Sequence, residues 1–437
     1  METKAVELEN AADAILAGTY NPRKDYYFDA GESFNQPLPK GFLCRTFNAG
    51  KSFNQSLPES FKCINFYCGD SFNQPLPEGF SCGGSFFCEG AFNQPLPKDF
   101  KCHDYFFCDK SFNQILPKGF QCDVFHCGTS FNQPLSEGFR CENFNCGLSF
   151  NQQLPESFTC KIFSCGDSFN QPLPEGFVRV DEFWCGDAFN QSLPEGFQCK
   201  QFDCGKQFNQ PLPEGFKCHG NFECGESFNQ PLPEGFSCGG SFFCEGAFNQ
   251  PLPKDFKCHD HFFCGISFNQ PLPKDFGAGK NFSCGDSFNQ PLPEGFQCEV
   301  FHCGDSFNQS LPAGIRCRIF NAGESFNQAL PEGFTCRVFN CGESFNQPLP
   351  DGFKCLIFNS GKSFNQPLPE GFTSHGGFAC GDSFNQSLPE GFKCKRFDCG
   401  KSFNQPLPKD FICEQFRFGD RFKQTIPINC QLSKTDY

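Results

Sequence analysis

Apolar residues return along the chain at intervals of 19 or 20 residues, from Phe34 to a decayed last copy at Phe422. The typical unit is S-F-N-Q-P-L-P-E-G-F-x-C-x-x-F-x-C-G-x, in which three Phe, one Leu and up to two Cys recur. The segments F-x-C and F-x-C-G alternate as short strands do, so their Phe and Cys side chains should share one face. Leu-Pro followed by Glu-Gly or Lys-Asp is typical of a turn, because Pro fixes φ and Gly or Asp accepts the bend.

This period suits one coil of a β-solenoid or leucine-rich repeat and is too short for a helix-turn-helix unit. One coil cannot bury its own apolar face, whereas stacked coils bury it against their neighbours. We therefore predict an all-β fold, an elongated, leucine-rich-repeat-like β-solenoid of about 21 coils with short terminal caps. The predicted boundaries are a cap at 1–32 with a short helix over 4–17, the repeat at 33–420, and a decayed last repeat and cap at 421–437.

An internal duplication accompanies the repeat. Residues 71–108 and 227–264 are the same 38-residue stretch except that Tyr105 corresponds to His261. We interpret this as a sign that coils can be added without breaking the fold.

Composition and charge narrow the functional classes. The chain has 66 Phe and 34 Cys but one Met and one Trp, which is typical of one short unit copied many times. The formal charge of −14 argues against a nucleic-acid binder, which would show a basic face. The sequence contains no run of ~18 apolar residues, so it predicts no membrane-spanning helix. The N-terminus lacks the basic-then-apolar pattern of a signal peptide. These features predict an intracellular (cytoplasmic) protein or one in a virus particle.

The cysteines form two columns, 17 at the first F-x-C and 16 at the second, with Cys430 left over. The spacing C-x4-C or C-x5-C fits no common zinc module, so no metal site is predicted. Disulfides remain an alternative, since so many cysteines usually indicate a secreted, cross-linked fold. Several units keep one cysteine alone, as where Cys44 stands opposite Ala49 and Cys185 opposite Arg179, which favours buried reduced thiols. The predicted structural cysteine ladder includes Cys63, Cys68, Cys82, Cys88, Cys102 and Cys108.

Asn and Gln follow the first Phe in twenty units. A ladder in which each Asn bonds to the backbone of the adjacent coil is the favoured interpretation, and an array that binds a repetitive ligand is the alternative. The residue between the second Phe and the second Cys should point outward. Aromatic residues there in neighbouring coils predict an exposed binding strip, unless the extra residue of the 20-residue units turns them inward. These candidate binding residues are Tyr67, Phe87, Phe107, Trp184, Phe243 and Phe263.

Signatures of catalysis are missing from the sequence. No G-x-S-x-G, phosphate loop or H-E-x-x-H occurs, and Cys-His pairs such as Cys102–His103 repeat with the unit, whereas a nucleophile is normally unique. We predict no enzyme, no cofactor and no small-molecule substrate.

At F-N-Q-P-L and F-x-C-G-x-S-F-N-Q the sequence resembles the FNIP repeat, a leucine-rich-repeat relative found in amoebae and their large DNA viruses. It resembles more loosely the BspA-type surface repeats. The resemblance covers nearly the whole chain, although the unit is shorter and Cys and Phe stand where FNIP repeats favour Leu, Ile or Val. It implies a binding or scaffold solenoid without a catalytic partner domain.

The leading hypothesis is a non-catalytic repeat scaffold that binds a protein partner or associates with itself. The alternatives are an extracellular or surface-coat adhesin stabilised by disulfides, and a coil array that serves mainly as bulk structure.

Overall fold

The computed structural model describes Ile15, residues 27–108, 110–277 and 279–426, and the backbone of 431–434. Apart from Ile15, the predicted helix over 4–17 lies outside the described residues, as does Cys430. The chain divides into two compact units, Met1–Phe216 and Lys217–Tyr437.

The first unit is a stack of short parallel strands, one strand in each coil. Successive strands pair in parallel from β1 to β9, and β9 then pairs with β11. The strands are β1 Tyr27–Asp29, β2 Thr46–Asn48, β3 Asn65–Tyr67, β4 Phe86–Cys88, β5 Tyr105–Cys108, β6 Val124–Cys127, β7 Asn143–Asn145, β8 Ile162–Cys165, β9 Glu182–Cys185, β10 Gln198–Cys199 and β11 Gln201–Asp203.

The second unit repeats this arrangement. Its main parallel ladder runs from β13 through β15 and β17 to β26, and a second short ladder joins β12, β14 and β16. The strands are β12 Lys217–Cys218, β13 Phe222–Cys224, β14 Ser237–Cys238, β15 Phe242–Cys244, β16 Lys257–Cys258, β17 His261–Cys264, β18 Asn281–Cys284, β19 Val300–Cys303, β20 Ile319–Ala322, β21 Val338–Cys341, β22 Cys355–Ser360, β23 Ser374–Cys380, β24 Lys393–Asp398, β25 Ile412–Phe418 and β26 Gln431–Lys434.

The predicted all-β parallel solenoid is therefore confirmed. The second F-x-C segment forms the main strand, whereas the first usually makes one isolated bridge, such as Gln121↔Arg140. From β22 onward the two segments merge into longer strands, with a register shift between Cys355 and Ile357.

Most coils contribute three Phe to a core of stacked rings, and Ile315 takes the place of one Phe in the coil of β20. In the coil of β8, Phe163 stacks on Phe144 with ring centroids 5.7 Å apart and meets Phe158 and Phe169 edge-on at 6.1 and 5.6 Å. All four rings are 0–1% exposed. Stacked and edge-to-face rings are favourable arrangements, so one aromatic residue type can fill the core of every coil.

The turn after Leu-Pro closes each coil. The N–H of Phe80 donates to the carbonyl oxygen of Pro77 at 3.1 Å, and Gly79 has φ of +73°. A glycine at the third position of a type II turn supplies this positive φ without steric cost.

The Asn residues form the predicted ladder. Asn151 Oδ1 accepts the backbone N–H of Asn170 at 3.0 Å and Nε2 of Gln171 at 3.0 Å. In the second unit Asn289 Oδ1 likewise accepts the N–H of Asn308 at 2.9 Å. The ladder satisfies backbone donors that no strand pairs, as the structural interpretation of the Asn-Gln pair predicted.

In one coil the residue that takes the place of the first-column cysteine is not the one that alignment of the units predicted. Val180, 6% exposed, occupies the buried place opposite Cys185, whereas the predicted occupant Arg179 is exposed. The coil carries one extra residue, and the register shift lets the chain bury Val and keep the guanidinium in water.

Candidate binding surface

The residue that follows the strand Phe points outward in every coil and lines up with its neighbours. In the first unit strand register joins these residues into one line, named here the outer row. It consists of Asp29, Asn48, Tyr67, Phe87, Phe107, His126, Asn145, Ser164, Trp184 and Asp203. Neighbours in such a row lie ~4.8 Å apart along the stack.

Four consecutive members of the outer row form a ring stack, named here the first aromatic cluster. Tyr67 and Phe87 are nearly parallel with ring centroids 4.7 Å apart, and Phe107 and His126 are parallel at 4.3 Å. Phe87 and Phe107 are tilted at 5.8 Å, and the exposed Tyr105 packs beside Phe87 at 6.1 Å. Tyr67 is 36% exposed and the other members are half-buried. The extra residue of these coils thus leaves the aromatic side chains on the outer face.

Acidic side chains flank the first aromatic cluster on both sides. Asp104 and Asp123 precede their strands, Asp70 and Glu89 follow theirs, and all four carboxylates are exposed. The surface therefore combines an apolar stripe with a negative border.

The second unit carries a related but looser group, Phe243, Phe263 and His261. Phe243 lies 6.3 Å from Phe263 and 6.5 Å from His261, with tilted rings. His261 stands where the duplicated segment has Tyr105, and its Nδ1 atom is buried without a hydrogen-bond partner. The equivalent pair Phe87–Phe107 is tilted too, and no parallel stack forms here because Glu223 and Ser283 lie in register where the first aromatic cluster has Tyr67 and His126.

Trp184 lies apart from the first aromatic cluster and is 45% exposed. Register pairs it with Ser164 on one side and Asp203 on the other. The structure therefore brings Tyr67, Phe87 and Phe107 together, brings Phe243 and Phe263 together, and leaves Trp184 as a separate indole.

The cysteine columns are buried inside the coils. Cys63, Cys82, Cys102 and Cys108 are free and buried, and burial raises the pKa of the Cys102 thiol to about 12. Burial also raises the pKa of Cys82 and Cys108 well above the usual value. A thiol that stays protonated is a weak nucleophile, so these columns are suited to packing and not to catalysis.

Cys68 and Cys88 differ from the expected reduced thiols, because a disulfide joins them. They are neighbours in the second column, and their Cα atoms lie 5.1 Å apart, within the range that a disulfide spans. The other described cysteines form no disulfide.

A second surface of the second unit was missed by sequence reasoning. Val300, Ile319, Val338 and Ile357 form an aliphatic row in register on the outer face of the ladder. Beside it Asn340 Nδ2 donates to Asn321 Oδ1 at 2.6 Å, and Asn359 Nδ2 donates to Asn340 Oδ1 at 2.7 Å. The sequence signal for this row was an aliphatic residue directly before each strand Phe. Alternation of side chains along the strand also places that position outward.

No group of three or more His, Cys, Asp or Glu in the described ranges is placed to hold a metal ion. Within the part of the chain that the structure describes, no helix has the length and apolar character needed to cross a membrane.

The fold and its surfaces define a parallel β-solenoid repeat protein. No family model matches the chain, and no curated protein matches it either. Among solved structures the chain is similar to CroV588, described as a novel circular LRR protein. The two sequences are 26% identical over 92% of this chain and 74% of that chain, with a TM-score of 0.47. Membership of the FNIP family stays a prediction.

Proposed function

We propose that the chain is a non-catalytic repeat scaffold that binds another protein, or a second copy of itself, through the outer face of its parallel ladder. The observation that carries the proposal is the first aromatic cluster, in which Tyr67, Phe87 and Phe107 share an exposed stripe. Aromatic side chains are enriched where proteins bind each other, because they bury much area at low entropic cost.

The rest of the coil supports a scaffold. Phe, Leu, Cys and Asn side chains at repeated positions are occupied by core packing and by the Asn ladder, so the differences between coils lie on the outer face. A surface that varies on a constant frame is the usual binding device of repeat proteins.

The proposal predicts that the triple variant Tyr67→Asn, Phe87→Ser, Phe107→Asn loses binding but keeps its fold. Asn and Ser already occupy the same row at Asn48 and Ser164, so the coil accepts them. We expect at least about a tenfold loss of affinity, since aromatic residues that act as binding hot spots contribute about 2 kcal/mol or more. Light scattering over a range of concentrations measures self-association, and capture on the immobilised full chain followed by affinity measurement tests a partner.

The matched control carries three changes at non-aromatic positions of the same row, Asn48→Ser, Asn145→Ser and Ser164→Asn, and should bind as the unmodified chain does. Equal binding by the aromatic variant, or a chain that neither self-associates nor captures a protein, would contradict the proposal.

The Cys68–Cys88 disulfide favours a second candidate function, a surface-coat or adhesin protein stabilised by cross-links. The parallel ladder places column neighbours close enough to pair, so an oxidising compartment could link further cysteines.

Thiol titration separates these two functions. The protein is purified without reductant and titrated before and after denaturation. A scaffold with buried reduced thiols should react little when native and should expose nearly all of its 34 cysteines, less the one disulfide pair, when unfolded. Few reactive thiols in both states would instead support the cross-linked surface protein.

A further inference from the structure

Trp184 is an aromatic side chain without an aromatic neighbour. The members of the first aromatic cluster cover one another's faces, whereas the indole of Trp184 lies in register between Ser164 and Asp203. No ring contact involves it among the described residues. With 45% of its surface exposed, the indole can offer a flat face to a ligand.

Two carboxylates lie beside this indole on the same outer face. Glu182 is two residues earlier in β9, so its side chain points to the same side of the ladder. Asp203 occupies the directly paired position on β11. Neither carboxylate makes an ion pair within the described part of the chain. Both therefore keep their charge available for a cation from outside.

The nearby lysines do not neutralise this pair. Lys161 bonds to Glu142 at 2.7 Å, Lys200 to Asp181 at 3.0 Å and Lys206 to Asp187 at 3.1 Å. Each lysine thus has a carboxylate of its own, which is neither Glu182 nor Asp203.

The environment of Asp203 also favours binding of a cation. Burial raises the pKa of its carboxyl group, the N–H of Gly205 partly offsets this, and the charge of Asp187 raises it further. The ionised carboxylate is therefore poorly compensated, and an incoming cation would stabilise it.

A flat indole beside two uncompensated carboxylates matches the chemistry of a guanidinium group. A cation over the face of Trp is attracted by the ring quadrupole, and Trp is the strongest of the aromatic residues in this role. Arginine combines a planar group that stacks on rings with donors suited to carboxylates. A neutral sugar could also stack on the indole, but it would gain nothing from the surrounding negative charge.

We propose that Trp184, Glu182 and Asp203 form a binding site for an arginine side chain in a basic segment of a partner protein. This inference rests on the proposed scaffold function and specifies the kind of partner. The guanidinium stacks on the indole of Trp184 and donates hydrogen bonds to the carboxylates of Asp203 and Glu182.

The chain contains a built-in probe of this site, because Trp184 is its single tryptophan. The full-length protein is titrated with a peptide of alternating arginine and glycine, and the tryptophan emission is recorded. Parallel titrations use a lysine-glycine peptide, a glutamate-glycine peptide and a neutral glucose oligosaccharide. We expect saturable binding of the arginine peptide, weaker binding of the lysine peptide, weakening at high salt, and no response to the other two.

Variants are compared through the anisotropy of a labelled arginine peptide, which does not require tryptophan. Trp184→Leu should weaken binding about 3- to 10-fold, and Trp184→Phe should weaken it less. Asp203→Asn and Glu182→Gln should each weaken binding and reduce its salt dependence. The control Asp99→Asn removes the same charge from the same unit, at an exposed turn position several coils away and outside the outer row, and should have little effect.

Three results would overturn the proposal. They are an arginine peptide that fails to bind, binding that Asp99→Asn weakens as much as Asp203→Asn, and a tryptophan response to the oligosaccharide alone. Each leaves the scaffold function standing, because that function is tested separately by substitutions at Tyr67, Phe87 and Phe107. Conversely, loss of the scaffold function would show in those variants while peptide binding at Trp184 persisted.

Discussion

Reduced protein is expected to lose its parallel ladder cooperatively when the pH rises from about 8 to about 10. The cause is the column of buried thiols. Burial raises the pKa of Cys102, Cys258 and Cys317 to about 12, and it raises the pKa of Cys127 and Cys204 well above the usual value. Unfolding returns each thiol to water, where its pKa is about 8.5.

The sign of the effect follows from these raised values. A group whose pKa is higher in the folded state contributes stability that is fully present below its unfolded pKa and is lost as the pH rises towards the folded value. In that window each thiol lowers the free energy of unfolding by about 1.4 kcal/mol per pH unit. About ten such thiols, one pH unit above the unfolded value, would remove about 14 kcal/mol, which is as large as the whole stability of a typical domain.

Circular dichroism and thiolate absorbance, followed together in reductant, measure this transition. Both signals should change at the same pH, and both should recover on return to neutral pH. Thiolates that form while the ladder persists would show that the cysteines are accessible.

Urea unfolding at several pH values tests the cause residue by residue. Cys108→Ala and Cys127→Ala should each reduce the slope of stability against pH, since alanine already fills this column at Ala49 and Ala322. Ser360→Ala is the matched control, because it changes the same column without removing a thiol and should leave the slope unchanged.

Alanine substitutions at two adjacent phenylalanines, Phe86 and Phe87, should cause very different losses of stability when each is made alone. Phe86→Ala is expected to cost about 3–5 kcal/mol, because it removes a fully buried ring and leaves a cavity. That ring stacks on Phe66 and Phe106 at 5.5 Å each, and so serves the interfaces with both neighbouring coils. Phe87→Ala should cost about 1 kcal/mol, since its half-exposed ring makes only surface stacking contacts.

Denaturant unfolding of both variants measures the difference, and the duplicated segment provides a replicate. Phe242 is fully buried and Phe243 is half-buried at the corresponding positions of the second unit, so Phe242→Ala and Phe243→Ala should reproduce the contrast. Equal costs within either pair would mean that the strand faces are assigned wrongly.

The candidate surface could be predicted only in part. Alternation within F-x-C indicates that Tyr67, Phe87 and Phe107 point outward, and the structure places them so. The sequence did not predict that His126 completes their ring stack, because a stack depends on ring orientation as well as on position. Phe243 and Phe263 lack such parallel packing because Glu223 and Ser283 lie in register where the first aromatic cluster has Tyr67 and His126.

The register between strands explains most of the contacts that the sequence did not predict. Ser164 and Trp184 are separated by 20 residues and Trp184 and Asp203 by 19, yet all three share one row. The coil must absorb the extra residue before the strand, and the sequence does not specify where. It does so by burying Val180 in place of Arg179, which side-by-side alignment of the units had placed opposite Cys185.

The sequence by itself determined the repeat, the parallel solenoid, the inward Phe and Cys columns and the Asn ladder, because strict periodicity allows each coil to repeat the local conformation of the last. Tertiary structure alone decided which outward side chains of different coils meet, which two cysteines are bonded and that Asp203 adjoins Trp184. These are contacts between coils, and they depend on how each irregular coil packs against its neighbours.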